Sequence, residues 1–182
     1  RDPVDLRHEL LSKDHRLRNV LELAAKKANW GKKLQADRYQ GVSILNFHDT
    51  RLCFITEVSV SKDEGIRVHR VVCAVDCGIV VNPKIVESQM ESGIAFGLSA
   101  TLKGSITITK GQIEQSNFDN FPILRMDEMP IVEVHLVENP DSPSGIGESA
   151  VPLIAPAVTN AIFAATGKRI RKLPIHLEEL LK

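Results

Sequence analysis

Glu148 stands between a glycine-rich stretch, Gly145-Ile-Gly147, and an apolar run, Val151-Pro-Leu-Ile-Ala155. A carboxylate so placed is expected to lose hydration and become a stronger base, which suits proton abstraction. The flanking glycines let a flat substrate or cofactor approach the backbone. The competing reading is a helix-start acid favoured by the helix dipole. Gln89 is the second candidate. At helical spacing it shares a face with Gly93, Phe96, Gly97 and Ala100, an apolar surface of small residues. Its amide needs partners there, from a ligand or from the backbone of a core.

Other chemistry is weaker. Cys73 and Cys77 have a C-x3-C spacing with Cys53 farther off, and no fourth ligand clusters with them. Buried thiols are therefore expected rather than zinc or an iron–sulfur cluster, and no residue is assigned to a metal. The six histidines are scattered, with no H-x-x-x-H pair. Gly145-Ile-Gly-Glu-Ser-Ala150 fits the dinucleotide pattern G-x-G-x-x-A. A Pro/Ser loop separates it from the preceding strand, however. Where a ribose-binding acid should follow, the chain has Lys168, Arg169, Arg171 and Lys172.

The elements that must position these residues follow from pattern. Asp2-Pro3 starts one helix by cap and first-turn proline. A second runs from about Asp14 to Asn29, with Leu17, Val20, Leu21, Ala24 and Ala28 as its apolar stripe and Gly31 as its stop. Residues 32–40 read as a polar loop. Residues 52–60 and 66–75 are strands joined at Lys62-Asp63-Glu64-Gly65. In the second, Ile66, Val68, Arg70, Val72 and Ala74 are expected on one face and Val71, Cys73 and Val75 on the other. Asn82-Pro83 opens a third helix to about Leu102. Its glycines cost about 1 kcal/mol each against alanine and imply a close backbone or ligand. Short strands near 105–109 and 112–116 and a strand at 131–137 follow. A last helix runs from about Pro152 to Ala165, closed by Gly167. The expected fold is α+β: a mixed β-sheet packed with helices, preceded by an N-terminal helical pair. Residues 1–31 form the helical segment, 41–175 the α+β domain and 176–182 a tail.

Composition bounds the function. The chain has 182 residues with 23 basic and 23 acidic side chains, so its formal charge is zero. A broad nucleic-acid surface is not expected. No apolar run reaches the roughly 18 residues of a membrane span. Three cysteines make no closed disulfide set. The chain opens on Arg1-Asp2-Pro3 rather than Met, as a piece of something longer would.

Three stretches, taken in order, resemble one family: Val75-Asp-Cys-Gly-Ile-Val-Val-Asn-Pro83, Val86-Glu-Ser-Gln-Met-Glu-Ser-Gly-Ile-Ala-Phe-Gly97 and Gly145-Ile-Gly-Glu-Ser-Ala-Val-Pro-Leu-Ile-Ala-Pro-Ala-Val-Thr-Asn-Ala161. They resemble the C-terminal part of the molybdenum-cofactor-binding large subunit of the xanthine dehydrogenase and aldehyde oxidase family. The stretches Gln115-Ser-Asn-Phe-Asp119, Leu124-Arg-Met-Asp-Glu-Met-Pro130 and Ala165-Thr-Gly-Lys-Arg-Ile170 narrow the likeness to the isoquinoline 1-oxidoreductase type. The resemblance implies an oxidoreductase that hydroxylates an N-heteroaromatic or aldehyde carbon with oxygen from water. Glu148 matches the family's active-site base in Gly-x-Gly-Glu, and with it Gly147 lies against the cofactor. Gln89 matches the glutamine that contacts the molybdenum-pterin cofactor. Ser88, Ser92 and Ser149 depart from the usual residues of the family at those positions.

The implied partners are the remainder of the large subunit, a 2Fe-2S subunit or domain, and a small-molecule substrate. The chain alone is expected to hold little cofactor and to be inactive. The alternative reading is a noncatalytic subunit or interaction module descended from the same fold.

Overall fold

The structure is a computed structural model and describes residues 1–180. Helix α1 (Pro3–Leu10) begins where the Asp2 carboxylate accepts from the Val4 and Asp5 amides at 2.7 and 3.0 Å. Helix α2 (His15–Lys27) is capped by Asp14, which accepts from the Leu17 amide at 2.9 Å. Its inward stripe is Val20, Leu21 and Ala24, as the spacing predicts. Strands β1 (Tyr39–Phe47), β2 (Thr50–Ser61) and β3 (Gly65–Asp76) form an antiparallel meander. Helix α3 (Pro83–Leu102), the small hairpin of β4 (Ile108–Thr109) and β5 (Gln112–Ile113), and a 3-10 turn at Met126–Glu128 come next. Strand β6 (Ile131–Leu136) then pairs with β3 in parallel, the geometry a long crossover permits. Helices α4 (Ala150–Thr166) and α5 (Leu177–Leu180) end the described chain.

The main sheet has the order β1-β2-β3-β6 and is mixed, so the α+β class stands. Helix α2 covers one face, where Val20, Leu21 and Ala24 meet Val42, Cys53, Ile55, Val72 and Ala74. Helices α3 and α4 cover the other, where Met90, Ile94, Leu98, Ile154 and Val158 meet Leu52, Phe54, Val71, Cys73 and Val75. The N-terminal helical segment thus shares its core with the sheet. Of the tail at 176–182, residues 177–180 are helical and 181–182 lie outside the described residues.

Three local expectations change. The sequence predicts no strand before residue 52, yet β1 occupies Tyr39–Phe47 and its first two residues lie in the expected loop. Its polar residues hide the strand pattern because they serve the interior: Ser43 Oγ donates to the Leu153 carbonyl at 2.8 Å, and Gln40 donates to the Ala28 carbonyl at 2.8 Å. Second, the alternation in β3 breaks at a β-bulge. Glu57 pairs with Arg70 and Val58 with Val68, which leaves His69 as the extra residue. Ile66 and Val68 therefore join the Val71 face rather than the Arg70 face. Third, the strands near 105–116 shrink to two residues each and stay exposed.

Candidate functional site

The site begins where β3 ends. Five consecutive residues, Val71 to Val75, are buried, and the next is Asp76. Its side chain is 1% exposed. A carboxylate there needs partners. Arg16 of α2 supplies two, with Nε to Oδ2 at 2.8 Å and Nη2 to Oδ1 at 2.6 Å. Asn139 Nδ2 donates at 2.8 Å and the Gly78 amide at 3.3 Å. Burial pushes the Asp76 pKa up. The hydrogen bonds from Arg16, Asn139 and Gly78 outweigh that and hold it below the usual carboxylate value.

This knot binds the β3–α3 turn to the loop after β6. The Val137 amide donates to the Val75 carbonyl at 2.8 Å, the Ile79 amide to the Asp141 carbonyl at 2.9 Å, and the Ser144 amide to the Cys77 carbonyl at 2.9 Å. Gly78, at φ 74°, lies so near this loop that a Cβ would stand 2.3 Å from the Ser142 carbonyl oxygen. The β1–β2 turn adds a further tie: Thr50 Oγ1 lies 2.7 Å from Ser144 Oγ and donates to the Gly145 carbonyl at 2.7 Å.

From this anchored loop the chain runs through Gly145, Ile146 and Gly147 to Glu148, then enters α4. Glu148 is exposed. The dehydration expected from its apolar neighbours does not come from the described residues, because Val151 to Ala155 turn into α4 and direct Leu153 and Ile154 to the core. Glu148 instead borders an open cavity of about 430 Å³, shared with Gly145, Gly147, Ser149, Phe47 and His48. Gly147 is exposed, and a Cβ there would meet nothing within 4 Å. Ser149 is buried, and its hydroxyl makes no capping bond to α4.

Helix α3 brings Gln89 to the same end. A Cβ on Gly93 would lie 2.6 Å from the Ala150 Cβ, and one on Gly97 2.3 Å from Ile154 Cγ2 and 2.7 Å from the Val151 carbonyl oxygen. The contacts advance together along both helices, so α3 and α4 run parallel. The close neighbour that the glycines imply is thus the α4 backbone. Gln89 sits one turn before Gly93, and Glu148 just before Ala150. Val86 and Ile146 line one apolar groove, which confirms that the start of α3 faces the loop. Gln89 is half-buried, and its amide has no hydrogen-bond partner among the described residues. Phe96 and Ala100 point outward instead. Ser88 is exposed, with its hydroxyl donating to the Lys84 carbonyl at 2.9 Å.

The remaining candidates resolve simply. Cys53, Cys73 and Cys77 are buried and free, and burial pushes all three thiols up. Among the described residues no three His, Cys, Asp or Glu side chains gather as a metal site. Residues 137–144 part β6 from the glycine motif, and no strand follows α4 among the described residues, so the dinucleotide pattern lacks its βαβ frame. A larger cavity, about 560 Å³, opens at the other end of the sheet. Within its lining Lys103 pairs with Glu128 at 2.5 and 2.6 Å, and Arg67 donates to the Asp127 carbonyl at 3.3 Å. No described helix is long and apolar enough to cross a membrane.

Sequence reasoning singled out Glu148, Gly147 and Gln89 as candidates and passed over Asp76, Arg16, Thr50, Phe47 and His48, which the structure sets around the Glu148 loop. Only Asp76 carried a signal, as an acid closing a run of buried residues.

The chain is similar to known proteins in sequence and in fold. The model of the molybdopterin cofactor-binding domain family matches residues 9–130. The chain is 36% identical over 179 residues to the beta subunit of isoquinoline 1-oxidoreductase from Brevundimonas diminuta, covering 96% of this chain and 23% of that protein. It is 30% identical over 198 aligned positions to a nicotinate dehydrogenase subunit from Pseudomonas putida, covering 98% and 17%. The crystal structure of quinoline 2-oxidoreductase from Pseudomonas putida superposes with a TM-score of 0.67 at 25% identity, covering 72% of this chain and 18% of that one. The aldehyde oxidoreductase of Desulfovibrio desulfuricans superposes with a TM-score of 0.64 at 29% identity, covering 72% and 15%. The chain spans less than a quarter of the length of these relatives.

Proposed function

Because the chain belongs to the molybdopterin cofactor-binding domain family, we propose that it is the C-terminal portion of a molybdenum hydroxylase subunit. The subunit oxidises an N-heteroaromatic or aldehyde carbon with oxygen derived from water. The relatives that act on isoquinoline, nicotinate, quinoline and aldehydes support that substrate range. The remainder of the large subunit and an iron–sulfur subunit or domain are its proposed partners.

The observation that carries the reading is the placement of two polar side chains, neither engaged by a described residue, toward one end of the α3–α4 pair. Glu148 is exposed at the cavity mouth and Gln89 is half-buried with no partner among the described residues. A pterin offers ring nitrogens and amides that suit the Gln89 amide, and the bare backbone at Gly147 leaves room for a close approach. These residues fit one wall of such a cofactor site. When bound, the molybdenum cofactor supplies the two-electron redox chemistry. Glu148 takes the proton from the water-derived oxygen that becomes attached to the substrate carbon. Gln89 holds the pterin, and Gly147 lets it lie close.

The test is Glu148→Gln in the assembled enzyme. Turnover should fall about a hundred- to ten-thousand-fold, the usual worth of a general base, with the molybdenum content of the purified protein unchanged. Near-normal turnover would remove Glu148 from the mechanism.

A further inference from the structure

Gly145 and Gly147 give the Glu148 loop its reach and deprive it of anchors. Both are exposed, and a Cβ on either would meet nothing within 4 Å. The Ile146 carbonyl meets only the Ser149 hydroxyl, at 3.5 Å. Among the described residues, the one side chain from a distant segment that binds backbone between Gly145 and Glu148 is Thr50.

Thr50 is fully buried, at 0% exposure. A hydroxyl has a single hydrogen, and a carbonyl only accepts. The 2.7 Å bond to the Gly145 carbonyl uses the Thr50 hydrogen, so Ser144 is the donor in its own 2.7 Å bond to Thr50 Oγ1. The relay runs Ser144 to Thr50 to the Gly145 carbonyl, each bond polarising the next. Thr50 is itself held. It pairs with Phe47 across a two-residue turn, His48-Asp49, with φ of 47° and 63°. Arg16, while gripping Asp76, also donates to the Asp49 carbonyl at 3.4 Å.

We propose, resting on the reading of Glu148 as the base, that Thr50 is a positioning residue that aims the Glu148 carboxylate through the Gly145 carbonyl. Thr50 touches no reacting atom. It restrains a glycine-flanked loop that would otherwise let the carboxylate swing, and a misplacement of about 1 Å costs on the order of 100-fold in rate.

The experiment compares Thr50→Val, Thr50→Ser and Glu148→Gln in the assembled holoenzyme. Valine keeps the shape and removes the hydroxyl, whereas serine keeps the hydroxyl. At full molybdenum content, T50V should lower kcat roughly 10- to 100-fold with little change in KM. T50S should stay within about threefold of the parent. Amide hydrogen exchange across residues 144–149 should quicken in T50V and not in T50S. Unchanged turnover and exchange in T50V overturn the proposal. So does an equal loss in both variants, or a drop in thermal stability alone. If T50V does not assemble, Ser144→Ala breaks the relay one bond earlier. It should quicken the same exchange, and unchanged exchange overturns the proposal. Normal turnover in E148Q sinks the reading of Glu148 as the base, while the exchange measurement still decides whether Thr50 fixes the loop.

Discussion

Asp76 accepts four hydrogen bonds, two from Arg16 and one each from Asn139 and the Gly78 amide, at a side chain almost closed to water. Removing its charge while keeping its shape leaves the Arg16 guanidinium facing an amide, a poor partner for two parallel N–H groups. Breaking a fully buried pair costs about 3–5 kcal/mol. Arg16 retains 26% exposure, which lets water recover part of that. Asp76→Asn should therefore cost about 2 kcal/mol of unfolding free energy, read from the urea midpoint at pH 7. A midpoint equal to the parent's would show that the knot is dispensable. Little of this was visible in the sequence. Glu148 and Gln89 stand out because their oddity is local, a carboxylate beside glycines and an amide on a small-residue face. Arg16 lies 60 positions from Asp76, and Thr50 lies 95 from Gly145. Nothing in residue type pairs such partners before the chain has folded.

Two helices running parallel at close range decide where Gln89 and Glu148 stand. The approach depends on Gly93 and Gly97 of α3 facing Ala150, Val151 and Ile154 of α4. Alanine at position 97 would gain about 1 kcal/mol of helix propensity. Against that, its Cβ would stand 2.3 Å from Ile154 Cγ2 and 2.7 Å from the Val151 carbonyl oxygen. The side chain can turn away, but the backbone oxygen moves only if the helices part. Overpacking of this kind costs about 1–3 kcal/mol. Here the upper end applies, so Gly97→Ala should destabilise the chain by about 1–2 kcal/mol. Chemical denaturation measures it, and a variant as stable as the parent would mean that the helices separate freely. The helices and their caps were legible from Asp2-Pro3, Asn82-Pro83 and Gly167. Strand β1 was not, because Gln40 and Ser43 look like loop residues until the carbonyls of Ala28 and Leu153 receive them. The bulge at His69 was hidden for a related reason: an alternating pattern carries no mark of where one extra residue inverts it.

At the scale of the molecule, opposite charges balance and half-buried ion pairs tie distant segments together. Arg70 joins Glu57 of β2 to Glu133 of β6, and Lys103 at the end of α3 joins Glu128. The α+β class was legible from the succession of patterns, but the place of β6 beside β3 was not, since parallel partners share no local turn. This architecture fixes how stability responds to acid. The bond from Arg70 holds Glu133 low, and the bond from Lys103 holds Glu128 low. Asp76 is low on balance, despite its burial. Each carboxylate contributes stability that is present above its unfolded value, about 3.9 for Asp and 4.3 for Glu. That contribution is lost as pH falls through the lower folded value. His69 and His135 are depressed too, burial being the first cause in both, with Arg38 next for His69 and Lys27 for His135. A depressed histidine is neutral in the native state, so the unfolded chain takes up the proton first, from about pH 6.5 downward. Stability should thus be level above about pH 7, decline gently from about pH 6.5 to 5, and fall steeply below about pH 4. Urea midpoints between about pH 3 and 8 test the profile. The double variant H69Q/H135Q should flatten the upper step and leave the lower one. A midpoint that rises on acidification from pH 7 to 5 would contradict the assignment, because it would require the native state to bind protons more tightly than the unfolded chain does.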